Sequence, residues 1–90
     1  MSVFAIVLAE PNVQLAKRIE DKYPHCYKLN DLAFLVEGDL LAEDIAVEVG
    51  IKGDERIEQA VGVVFKLNRS YSGYSPRSLW DWLLRSEESK

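Results

Sequence analysis

Ninety residues with 48% hydrophobic side chains and a formal charge of −4 describe one small domain that can build a core. The negative balance excludes a diffuse basic field of the kind that draws in duplex DNA, and no run of Lys or Arg stands out against it. The single cysteine, Cys26, excludes an internal disulfide and fits a reducing compartment.

The chain opens on an apolar run over residues 3–9, without a basic segment before it. It is far shorter than the roughly 20 residues a bilayer span needs, so it reads as a buried first strand of a cytoplasmic protein without a membrane partner. Pro11 stands where a helix begins. Val13, Ala16, Ile19 and Tyr23 recur at helical spacing with Leu15 beside them, while Gln14, Lys17, Arg18, Glu20 and Asp21 face water and Pro24 stops the helix. Residues 25–29 form a short extended segment, Asn30 and Asp31 a turn, and residues 32–37 a stronger strand, which together predict a hairpin.

Gly38 breaks this strand, and Asp39 is placed to cap a second helix whose apolar stripe is Leu41, Ile45 and Val49, with Ala42 and Ala46 alongside. Gly50 suits the left-handed position after that helix, with Ile51 as its apolar contact. Residues 52–59 read as a polar connector and residues 60–67 as the last strand. A final helix is expected over about 76–85, capped by Ser75 with Pro76 at its first position, and the tail 86–90 is expected to fray. The fold class is therefore α+β: a single domain over 1–90, in the order β-α-β-β-α-β plus a C-terminal helix. That is the ferredoxin-like, split βαβ arrangement, a four-stranded antiparallel sheet with two helices on one face.

Three segments carry a family resemblance: FAIVLAE at 4–10, LAFLVE at 32–37 leading into LAEDI at 41–45, and VVFKL at 63–67 followed by Gly73 and WDWL at 80–83. In this order they resemble the Cas2/VapD-type proteins, in particular the small bacterial and phage proteins described as Cas2-like or SinR-like. The resemblance implies dimers built on the sheet and, in some members, Mg²⁺-dependent cutting of RNA or DNA by an aspartate at the end of the first strand. This chain has Ala9-Glu10 there, ahead of Pro11. Glu10 is thus the candidate catalytic and metal-binding residue of an endoribonuclease reading, with Mg²⁺ as cofactor only in that case. Its other reading is an acid at the positive end of the first helix.

The densest chemistry lies between Arg69 and Leu84, where both tryptophans, Tyr71, Tyr74, Arg69 and Arg77 fall together. Arginines and hydroxyls next to a helix N-terminus can grip a phosphate or carboxylate, and tyrosines can stack on single-stranded bases. The alternative is an ordinary capped loop over a sheet edge. The final helix is expected to dock by Leu79, Trp80, Leu83 or their neighbours. Trp82, about 200° from Trp80 in projection, is then either an exposed interface anchor or flat on its own sheet.

His25 and Cys26 are neighbours in an extended segment and point to opposite faces. That disfavours a nucleophile pair and leaves a surface His and a core or interface thiol. The acids Glu43, Asp44, Glu48, Asp54, Glu55 and Glu58 read as a solvated face that could also meet a basic partner, as in a phage inhibitor or a toxin-neutralising protein. The first functional expectation is a non-enzymatic homodimeric module docking a protein or single-stranded nucleic acid through Arg69, Tyr71, Tyr74, Arg77 and Trp82. The alternative is the Mg²⁺-dependent endoribonuclease.

Overall fold

The computed structural model describes residues 2–67 and 77–88, with the last three of these as backbone only. The elements are β1 (Ser2–Leu8), α1 (Val13–Lys22), β2 (Tyr27–Asn30), β3 (Ala33–Gly38), α2 (Ala42–Val49), β4 (Gly62–Lys66) and α3 (Arg77–Glu88). The strands form one antiparallel sheet in the order β2-β3-β1-β4, an order consistent with a split βαβ arrangement. The hairpin turn is closed by Asn30, whose Oδ1 accepts from the Leu32 N–H at 2.8 Å.

Alternation along the strands divides the apolar residues between two faces. On face one, Phe4, Ile6 and Leu8 of β1 and Phe34 and Val36 of β3 pack under Leu15 and Ile19 of α1 and Ile45, Ala46 and Val49 of α2. Ile51, Ile57 and Ala60 add to this core between α2 and β4; of these, Ile57 lies in the stretch 52–59 expected as a polar outer turn, so that stretch is tied to the core. Arg56 holds the connector in place: Nε donates to Ile51 O at 3.2 Å and Nη2 to Ala60 O at 2.6 Å. On face two, Val3 of β1 and Leu35 of β3 pack against Leu79, Trp82 and Leu83 of α3. The largest fully buried side chains, Phe4, Phe34, Ile6, Leu15, Ile19, Ile45, Val36 and Val49, all belong to face one. Each such side chain contributes roughly 1.5–3 kcal/mol, so most of the apolar stabilisation sits on that side.

Helix ends differ from expectation at each helix, and α3 runs to Glu88, past the end expected at about 85. α1 starts at Val13, and its cap is Asn12, whose Oδ1 accepts from the Leu15 N–H at 3.0 Å. Pro11 thus precedes the cap, and Val13, expected inward, is exposed while Leu15 takes the core position. At α2 the cap position belongs to Leu41, whose N–H donates to Asp44 Oδ2 at 3.1 Å. Asp39 lies before it, and Leu41 leaves the expected stripe because a cap residue stands outside the helical register. Gly50 does take the left-handed conformation, φ 95°, and Ile51 N–H returns to Ala46 O at 2.9 Å. A side chain here would also collide with Arg18 and Ile57, so both conformation and space require glycine.

Candidate functional site

Arg69, Tyr71 and Tyr74 lie outside the described residues. Arg77 opens α3, exposed, with Nε 3.9 Å from Asp81 Oδ2 one turn on. Trp82 refines the expected docking of α3: it is 4% exposed and packs with Leu79 and Leu83, while Trp80 is half-buried. The anchors 79, 82 and 83 follow i, i+3, i+4, the narrow stripe by which a helix meets a flat sheet. Trp82 is therefore not an exposed interface anchor. It lies on its own sheet, as the second sequence reading had it.

What surrounds Trp82 forms a polar seam. β3 alternates Ala33, Leu35, Glu37 onto face two, so an acid follows the buried Leu35 on the face that α3 covers. His25, just ahead of β2, stacks on the Trp82 indole with ring centres 5.5 Å apart and planes at 22°. Its Nε2 lies 3.5 Å from Glu37 Oε1. The His25 side chain is 56% exposed and that of Glu37 only 13%. Tyr27 tilts against the same indole at 6.3 Å, and its hydroxyl shares a 2.6 Å hydrogen bond with Ser78 Oγ. Among the described residues, Glu37 Oε2 and Trp82 Nε1 are buried without a hydrogen-bond partner. A shallow cleft lined by Lys22, Tyr23, Pro24, His25 and Glu37 opens beside the seam. Sequence reading passed over Glu37, although its place in the alternation, an acid on an otherwise apolar face, was a usable signal.

The remaining polar groups do structural tasks. Cys26 packs against the face-one core while His25 reaches face two, which keeps the two apart as their adjacency in an extended segment implies. Burial, then the nearby Glu20 charge, pushes the Cys26 thiol above its ordinary range, the opposite of what an activated nucleophile needs. Arg18 Nη1 donates to Glu55 O at 3.0 Å, and Lys52 pairs with Glu43 at 3.4 Å. The Tyr23 hydroxyl donates to Glu48 Oε2 at 2.5 Å. Its ionisation is pushed up by burial first, then by the hydrogen bond and the charges of Glu48 and Asp44. Glu10 is exposed, two residues past β1 and two before the Asn12 cap of α1, outside its first turn. Among the described residues no three His, Cys, Asp or Glu side chains are gathered to hold a metal ion, and no helix is long and apolar enough to cross a membrane.

The second notable surface is the half of face two that α3 does not cover. Val7 of β1 pairs with Val63 of β4, and Ala5 with Phe65. Val7 is 42% exposed and Val63 and Phe65 are each 53% exposed. β4 is one of the sheet's two edge strands, and among the described strands it is bonded to β1 alone. An apolar strip therefore runs along an edge that, among the described residues, pairs with no strand on its outer side. Comparison of the chain with protein-family models, curated proteins and solved structures finds no significant match.

Proposed function

We propose that the chain is a ferredoxin-like interaction module that pairs with a second copy of itself along the β4 edge and presents the resulting dimer to a protein partner. The observation that carries this reading is the strip of Val7, Val63 and Phe65 beside a strand edge that no other described strand pairs with. Monomeric proteins blunt such edges with charge, proline or a covering element, and β4 carries one charge, Lys66, and no proline. A two-fold axis beside β4 would bring the same patch of each copy together and continue the sheet. The net charge of −4 favours a protein partner with a basic surface over a phosphate backbone.

Light scattering on a sizing column tests the pairing: a dimer is expected, against 10.2 kDa for one chain. Phe65→Glu is expected to return the protein to the single-chain mass without unfolding it. A wild-type chain that elutes as a monomer at tens of micromolar overturns the reading. The same sample separates the enzymatic alternative: chelator-sensitive cutting of labelled RNA that disappears in Glu10→Gln would establish a nuclease in its place.

A further inference from the structure

We propose that α3 is a detachable lid: it lifts from face two as a unit while the sheet and face one stay folded, and the His25–Glu37–Trp82 seam sets how often it does so. The residues that secure the sheet do not depend on it. All of the largest fully buried side chains lie on face one, under α1, α2 and the connector. The buried side chains of α3 are Leu79, Trp82 and Leu83, packed on Val3 and Leu35 with the half-buried Trp80 beside them, and an exposed Ser78–Tyr27 hydrogen bond adds to the contact.

The seam itself is flawed in a way that face one is not. When α3 is down, the Trp82 indole N–H and one Glu37 carboxylate oxygen are buried and unpartnered, and both recover water only when it lifts. A nearly buried carboxylate beneath a helix opposes closure unless a charge partner stands by it. The His25 ring stands beside the carboxylate, Nε2 3.5 Å from Glu37 Oε1, and also covers the indole by stacking. Because His25 is more than half exposed, the latch lies at the rim, open to solvent or to a contacting molecule. Low-stability units of this kind open well below the global unfolding limit.

Lifting α3 uncovers Val3, Leu35 and Tyr27, which Ala5 joins to the exposed Val7, Val63 and Phe65 strip. The consequence that a second copy then meets a wider apolar face rests on the pairing proposed above. The opening does not.

Native-state hydrogen exchange on the full chain, followed by NMR at low urea, measures it. The comparison is between amides in the second and third turns of α3 and those of β1 and β3. The α3 amides are expected to exchange at least about tenfold faster than the strands, with a weaker urea dependence. His25→Ala, which removes the stack and the polar neighbour of Glu37, is expected to speed α3 exchange by about tenfold relative to β1. Glu37→Leu is expected to slow it relative to β1. Equal exchange of α3 and β1 in the wild type overturns the lid, and a Glu37→Leu variant whose α3 is no slower overturns the role of the seam. A chain that is monomeric throughout but opens early at α3 defeats the pairing and leaves the lid. A stable dimer with α3 and β1 exchanging together defeats the lid alone.

Discussion

The two faces of the sheet are made by the same strands and packed to different standards. β1 gives Phe4, Ile6 and Leu8 to face one and the smaller Val3, Ala5 and Val7 to face two. Two helices and the connector close face one, and its rim is tied by Asn12, Tyr23 and Arg56. One helix closes half of face two, over a carboxylate and an indole with unmet hydrogen bonds, and the other half stays open. A strand fixes which residues share a side, but how well that side is sealed depends on what the chain brings over it. In this fold one side holds the largest buried side chains and the other is sealed only in part.

The contrast is most exposed to failure at the centre of each face. Phe34→Ala should cost about 3–5 kcal/mol, since it opens a cavity under two helices, and urea unfolding should show one earlier transition of the entire chain. Trp82→Ala removes a comparable side chain, and about 3 kcal/mol of docking with it. Its damage should stay local, with α3 signals lost from circular dichroism and NMR while β1 and β3 amides remain protected. If Trp82→Ala unfolds everything, the two faces are one cooperative unit and the contrast is broken.

A smaller effect is expected at the rim of face one. Tyr23→Phe should lose about 1 kcal/mol at neutral pH, the hydrogen bond to Glu48 being exposed. The folded state pushes the Tyr23 ionisation above its ordinary range, so its contribution is complete below the unfolded tyrosine value of about 10 and lost as pH rises beyond it. Wild-type stability should therefore fall more steeply above pH 10 than that of the variant, as thermal melts across pH would record. The smallest effect on folding belongs to Phe65→Glu, within about 0.5 kcal/mol for the isolated chain, because the ring is already half in water. Its effect should appear in mass alone, which sharpens the division between a face that stabilises and a face that associates.

Much of the framework was legible from residue order. The apolar runs at β1, β3 and β4, the helix between Pro11 and Pro24, and the Gly50-Ile51 stop all appear where local pattern places them, with ends shifted by a residue or two. Those shifts have local causes that composition does not rank. Asn12 outcompetes Pro11 for the start of α1 by accepting a backbone bond, and Asp44 reaches back to Leu41 where Asp39 was expected to cap. The seam was less legible. The spacing of Leu79, Trp82 and Leu83 held the correct stripe, but Trp80 offered an equally bulky alternative one face over, and only the sheet beneath discriminates between them.

The chain alone thus determined the elements, their order and the alternation that sorts β1 and β3 into two sides, because those follow from contacts between residues close in sequence. Tertiary structure decided which tryptophan is buried, that Glu37 and His25 meet around it, and that Val7, Val63 and Phe65 are left uncovered. Each of these depends on which segment distant in sequence, α3 above all, arrives over the sheet, and local propensity carries no record of which distant surface will cover a given face.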